Sequence, residues 1–391
     1  MNNIRKPLNE NESLILSKPV ITNMPDEKVR LSCDIKDKGE IKTLYYEVDK
    51  EYGEYLCYER SDAFIITILP YAMLTGQDIY CDTPVTETLL HNINEVLVPT
   101  LSSANNKFQL MKIHASTENT PIKGHKVTTG ISLGIDSFYT ILKNRDSEYK
   151  DFELNHLLNI RGPYKAKKLT NHMNEIKTVS KELNMPLTFI IINSHVLWKL
   201  RHAQKHVYEF LGAVYAMRKL VRTYYYSTAE NLSKFSIEEN PDLVADDYLL
   251  LLAYNFSTPD VRVLIEGMDV TRLEKILSVS NSEVVQKKLR VCIKEEYNCN
   301  DCFKCNRTLM EIDMLGLLDN FREVFDVDYY LKHKVQYFRY LIRRKDKSSF
   351  KPLYQYFIEK EPENMAKAEK IIADNLKEKK NKGKKKESKE I

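Results

Sequence analysis

Residues 126–143 read Lys-Val-Thr-Thr-Gly-Ile-Ser-Leu-Gly-Ile-Asp-Ser-Phe-Tyr-Thr-Ile-Leu-Lys, and they constrain the fold more than any other stretch of the chain. Val127, Thr128 and Thr129 favour an extended strand. Gly130 and Gly134 permit a tight turn in which backbone comes close to a ligand, and Phe138, Ile141 and Leu142 make one helical face. A strand that turns straight into a helix is an anion site. Amides at the helix start point outward with the positive end of its dipole, while Ser132 and Ser137 add hydroxyl donors suited to phosphate oxygens. An ordinary Ser/Gly/Asp turn ahead of a helix carries the same residues, so the stretch alone leaves both readings open. It is not a Walker A loop, because no Gly-Lys-Ser/Thr follows at the required spacing.

From residue 126 onward, strand-like runs at 152–159, 187–192, 223–227 and 261–265 are interspersed with helical stretches at 165–183, 202–221 and 270–277. This is the rhythm of an α/β fold, an open and mainly parallel sheet with helices on both faces. In such sheets ligands bind beyond the carboxyl ends of the strands, where the turn after Thr129 falls. Residues 1–125 read differently. Strand-like runs at 41–48, 54–58, 64–69 and 107–114 are interrupted by one helix, capped at Thr83 and stopped by Pro99, which points to a small α+β domain preceding the α/β domain. The expected division is 1–125 for that domain, 126–290 for a nucleotide-binding domain, 291–325 for a metal-binding segment, 326–362 for C-terminal helices and 363–391 for a lysine-rich, disordered tail.

The formal charge of +4 over 391 residues conceals an asymmetry. Residues 375–391 hold eight lysines and three glutamates, a net +5, which leaves the remainder at −1. A nearly neutral body argues against a duplex nucleic-acid binder with a broad basic face. The tail reads as a solvated extension, with a protein or nucleic-acid partner as the alternative. No run approaches the ~18 apolar residues of a membrane span, and the first residues lack the apolar core of a signal peptide, so the expectation is a cytoplasmic protein with no membrane partner. Two further groups stay open. His195, Trp198, Lys199, Arg201, His202, Lys205 and His206 either point into a nucleotide crevice or belong to surface and core. Asp242, Asp246 and Asp247 suit a solvated helix start as well as Mg²⁺.

Of seven cysteines, Cys292, Cys299, Cys302 and Cys305 crowd into fourteen residues with the spacing Cys-x6-Cys-x2-Cys-x2-Cys. In a reducing compartment such crowding favours a metal over disulfides, and four thiolates can close a tetrahedral structural zinc site. An iron–sulfur cluster and a group of unliganded buried thiols are the rivals.

The run Ser132-Leu133-Gly134-Ile135-Asp136-Ser137 resembles the Ser-Gly-Gly-x-Asp-Ser pyrophosphate-binding loop of the PP-loop ATP pyrophosphatases, with Leu133 where that family has its first glycine. The four cysteines with Arg307 and Thr308, and the stretch from Thr271 to Lys275, are similar to the 7-cyano-7-deazaguanine synthase branch over roughly residues 126–320. The resemblance implies an adenine nucleotide alpha-hydrolase-like fold. It also implies that Ser132, Gly134, Asp136 and Ser137 bind the triphosphate of ATP, with Asp136 and Ser137 closest to the chemistry and Asp136 orienting phosphate or Mg²⁺. Arg161, Lys165, Arg272 and Arg307 are candidates for stabilising charge, and the cysteines for holding Zn²⁺. The Tyr-Pro-Asp-Cys-Arg-Pro segment used by that branch for the deazaguanine has no counterpart here, since the corresponding region reads Phe256-Ser257-Thr258-Pro259-Asp260.

The expected activity is adenylation of an unidentified carboxylic acid by ATP, with transfer of the acyl group to ammonia or an amine. Two alternatives are a non-catalytic nucleotide-binding scaffold on the same fold and an RNA-modifying PP-loop enzyme. Helical periodicity at 326–344 and 350–358 adds two packing helices without chemistry of their own.

Overall fold

A computed structural model describes residues 12–163, 170–194, 200–232, 235 and 243–387. Lys165, His195, Trp198, Lys199 and Asp242 lie outside the described residues. The chain divides into two units, one of Met1–Ser132 with Asp136–Arg272 and one of Leu133–Ile135 with Leu273–Ile391.

In the first unit the strands are β1 (Ser13–Leu16), β2 (Val20–Met24), β3 (Lys28–Asp37), β4 (Glu40–Asp49), β5 (Asp78–Cys81), β6 (Val85–Thr86), β7 (Ile113–His114), β8 (Thr117–Glu118), β9 (Lys126–Gly130), β10 (His156–Arg161), β11 (Leu187–Ile192), β12 (Val221–Ser227) and β13 (Arg262–Glu266). Among the described residues one mixed sheet of eleven strands runs in the order β13-β12-β9-β10-β11-β4-β3-β1-β5-β7, with β2 beside β3; β6 and β8 pair separately. The strands β13 to β11 are mutually parallel. Numbered from β9, their order is 3-2-1-4-5, that of a Rossmann-like half-sheet, and the order reverses at β9. The α/β expectation therefore holds, with strand positions close to those read from the sequence.

Residues 1–125 do not form a preceding domain. Strand β4 pairs antiparallel with β11 through Ile191 opposite Glu47 and Ile192 opposite Tyr46, so the N-terminal strands continue the same sheet. Just past β11 the side chain of Asn193 prolongs this ladder, accepting from Tyr45 N at 2.7 Å and donating to Thr43 O at 2.9 Å. The sheet is accordingly less parallel than expected, because β11 and β4, β4 and β3, and β3 and β1 pair antiparallel, while β1, β5 and β7 are again parallel.

Three local expectations also change. Residues 64–69 are not a strand but part of the helix Asp62–Thr75, buried nearly all round, which removes the periodicity that would have betrayed it. The helix begun after Thr86 does not stop at Pro99. A π-helical turn at Asn92–Leu97 resets the hydrogen-bond register just before the proline, and helix continues to Ala104. Residues 54–58 are not a strand, since 54 and 55 end a 3-10 turn, Lys50–Tyr55, and 56–58 are irregular.

The second unit is helical, with Glu283–Lys288, Phe303–Met314, Val327–Lys332, Lys334–Ile342, Lys351–Lys360 and Pro362–Glu387. The amphipathic stretch at 326–344 breaks at His333, whose ring stacks 4.0 Å from that of Tyr329 and whose Nδ1 lies 2.8 Å from the Tyr329 carbonyl. Of the tail expected to be disordered at 363–391, residues 388–391 lie outside the described residues, and the described ones are helical, in a helix that runs from Pro362 to Glu387. Its start is anchored by the buried Met365 and Ala368, and lysine and glutamate are good helix formers. Among the described residues no helix is long and apolar enough to cross a membrane.

Candidate functional site

Strand β9 is the centre of the parallel half-sheet, with β10 on one side and β12 on the other. Val127, Thr128 and Thr129 are buried, and the two threonine hydroxyls donate to Thr223 O (3.2 Å) and Tyr225 O (2.8 Å) of β12. β-Branched residues thus serve both as good strand formers and as cross-strand ties. At Gly130 a Cβ would sit 3.1 Å from the Tyr224 hydroxyl, which explains a small residue where the strand ends. Beyond it Ile131 N still reaches Leu158 O at 2.9 Å, and Asn159 Nδ2 holds Ile131 O at 2.7 Å, so the chain leaves the sheet edge at a fixed angle.

The turn that follows lies outside the carboxyl end of β9, where the strand order reverses, the place where open α/β sheets bind ligands. Ser132 is exposed and Ser137 buried, yet they meet: Ser137 Oγ lies 3.3 Å from Ser132 Oγ and 3.4 Å from Ser132 N. Leu133 adopts φ +61°, the left-handed conformation that leucine rarely takes. Gly134 does not, so the leucine occupies the conformation for which a glycine would ordinarily be required. The side chain of Leu133 is buried and its carbonyl accepts from Arg290 N at 2.8 Å. Helix Ile135–Asn144 begins at once, placing Asp136 and Ser137 in its first turn, and Lys143 and Asn144 fix its far end to Glu266 at 2.8 and 2.9 Å.

Arg272 approaches Asp136 with Nη1 to Oδ2 at 3.5 Å, a loose pair on two half-buried side chains. Arg307 is held within its own helix, its Nε 2.7 Å from the buried Glu311 carboxylate. Arg161 ends β10 and faces a cavity. Of the acidic trio, Asp246 pairs with His206 at 3.3 Å and lies 3.4 Å from the Tyr226 hydroxyl, a structural role that the sequence reading did not foresee.

In the second unit the four cysteine sulfurs all lie within 4.8 Å of one another, with Cys292 and Cys302 at 3.9 Å. Four sulfurs about 2.3 Å from a common centre at tetrahedral angles would be ~3.8 Å apart, so the group could hold a metal such as zinc. Backbone amides support the sulfurs. Glu295 N and Lys294 N point at Cys292 Sγ (3.3 and 3.4 Å), Cys302 N at Cys299 Sγ (3.2 Å) and Cys305 N at Cys302 Sγ (3.4 Å). Each two-residue gap makes one such turn, and Cys302 also caps helix Phe303–Met314. Burial raises the Cys292 thiol, but the amides of Glu295 and Lys294 outweigh it and draw the group down to about 7; burial pushes Cys305 upward. A site with one thiol already acidic is suited to losing protons to a cation.

Lys205, one of the basic and aromatic residues left open between crevice and core, is joined by two residues that the sequence did not single out. Ser194, Lys205 and Glu209 are all buried, and they converge on the cavity that Arg161 faces. As a group their only trace in the sequence is a Lys-x3-Glu spacing at a helix start, a pattern common on solvated helices. No protein-family model matches this chain, and comparison with curated proteins and with solved structures finds no match to it.

Proposed function

We propose that the chain is an ATP-dependent enzyme of PP-loop type that transfers AMP to a carboxylic acid and passes the acyl group to ammonia or an amine. The observation that carries this reading is the turn after β9. A Ser-x-Gly-x-Asp-Ser run leaves the central strand at the point of order reversal and enters a helix, with its two serine hydroxyls in contact. The carboxylate oxygen of the acid attacks the α-phosphorus of ATP, the bond to the β-phosphate oxygen breaks, and pyrophosphate leaves. Attack of the amine on the acyl carbon then expels AMP and releases a proton. For the first step Ser132, Ser137 and the helix start hold the pyrophosphate in line. Asp136 orients the phosphate chain, steadied by Arg272. Mg²⁺ bound with the nucleotide supplies charge neutralisation, for which the Asp136 carboxylate and serine hydroxyls are suitable hard donors. The cysteine group is read as a structural zinc site, four thiolates with no open position.

Pyrophosphate release from ATP in the presence of a panel of carboxylic acids and ammonia tests the proposal, with Asp136→Ala expected to lower the rate at least a hundredfold while the protein stays folded. Release independent of Asp136 would remove the assignment. A non-catalytic nucleotide binder is favoured by one observation, the buried left-handed Leu133. Tight ATP binding without pyrophosphate release across the panel would establish it. Metal analysis separates the readings of the cysteines, since one zinc in a colourless protein fits the structural site and a brown chromophore fits the iron–sulfur chemistry of an RNA-modifying enzyme.

A further inference from the structure

The first unit contains a cavity of about 340 Å³, lined by the ends of β10 and β11 and by helix His202–Ala216. Its volume falls in the range of small-molecule sites, roughly 300–1,000 Å³. Ile160, Ile192 and Phe210 give it apolar walls; Arg161, Lys205 and Glu209 give it charge. Lys205 and Glu209 are 8% and 7% exposed, and their ion pair at 2.9 Å is tied to Ser194, which donates to Glu209 and lies 3.4 Å from Lys205 Nζ. This internal pair cancels itself. Arg161 has no such carboxylate: among the described residues its Nε is buried without a hydrogen-bond partner, and its one other described contact is the face of Phe189 at 5.7 Å. A guanidinium is charged at any physiological pH and is costly to bury alone. Among the described residues the lining therefore sets one guanidinium without a carboxylate partner beside apolar walls.

We infer that this cavity binds a small organic monocarboxylate, its anion meeting Arg161 and the Lys205–Ser194–Glu209 group and its hydrocarbon body packing on Ile160, Ile192 and Phe210. Binding itself does not depend on the ATP reading. Only the further identification of this carboxylate as the acid to be adenylated rests on that reading, and the test keeps the two apart by omitting nucleotide.

The experiment is calorimetric titration of the full-length protein with benzoate and butanoate, with benzamide and butanamide as neutral counterparts and inorganic phosphate as a third anion. One or both carboxylates are expected to bind at least tenfold more tightly than the matching amide and than phosphate. Arg161→Gln is expected to abolish that preference, whereas Glu209→Gln, which leaves the lining one charge more positive, strengthens carboxylate binding severalfold. The inference is overturned if neither carboxylate binds, if the amides bind equally well, if phosphate binds best, or if Arg161→Gln retains the preference with an unaltered melting curve. Carboxylate binding in a protein that releases no pyrophosphate would sink the ATP reading and leave this site standing.

Discussion

A leucine at φ +61° carries a conformational cost of about 1–2 kcal/mol, because its Cβ crowds the adjoining carbonyl. Its burial offsets that cost, since a fully buried leucine contributes roughly 1.5–3 kcal/mol. The two terms separate in substitution. Leu133→Ala loses the buried side chain and keeps the strain, and should cost about 2–4 kcal/mol; Leu133→Gly loses the side chain but relieves the strain, and should be about 1 kcal/mol more stable than the alanine variant. Chemical denaturation of both proteins checks the order, which is the reverse of that expected in an ordinary helix or strand. At this scale the sequence was partly legible. The strand–turn–helix course that brings Ser132 and Ser137 together could be read from the glycines and the apolar face that follows, and the gathering of the four cysteines from their crowding. The carbonyl of Leu133 accepting from Arg290 could not be read, because a contact across more than a hundred and fifty residues leaves no local pattern.

The helices Asp62–Thr75 and His202–Ala216 pack closely through Gly212, where an added Cβ would stand 2.0 Å from Thr67 Oγ1 and 2.8 Å from Tyr46 Oη. Thr67 and Tyr46 are themselves hydrogen-bonded at 2.6 Å, so neither can move aside freely. Gly212→Ala should therefore destabilise the protein by about 1–3 kcal/mol, whereas alanine for glycine in a helix normally adds up to ~1 kcal/mol of stability; thermal melting of the variant distinguishes the two signs. This contact helps explain why the N-terminal residues join the sheet unit instead of standing apart. Alternation of strand and helix after residue 126 was visible because buried parallel strands read as short runs of β-branched and aromatic residues set between longer helical stretches. Helix Asp62–Thr75 hid itself by being buried on nearly every side, and the antiparallel junction of β4 with β11 hid because strand pairing between distant segments is written in no single stretch.

For the molecule as a whole, the response to acid follows from His156 in β10. Burial, then the nearby charges of Lys126 and His125, lowers its pKa from the usual 6.5 to about 4, while its Nε2 is matched to Thr188 Oγ1 at 2.8 Å. The unfolded chain binds this proton more readily, so the stabilisation is complete above pH 6.5 and is lost progressively as pH falls to about 4. Stability should decline by roughly 2–3 kcal/mol across that window, and His156→Gln, which keeps a hydrogen-bonding side chain but cannot titrate, should flatten the decline; denaturant midpoints measured at pH 4, 5, 6 and 7 decide the matter. The pairing of Leu133 with Arg290 also has a consequence in time. The ribosome makes the chain from its N-terminus, so every strand of the sheet has been synthesised by residue 266, while the amide that secures Leu133 has not. That one hydrogen bond of the turn can form only after the segment leading into the cysteines has emerged, whereas the bonds of Ile131 to β10 and of Ser132 to Ser137 use residues made long before.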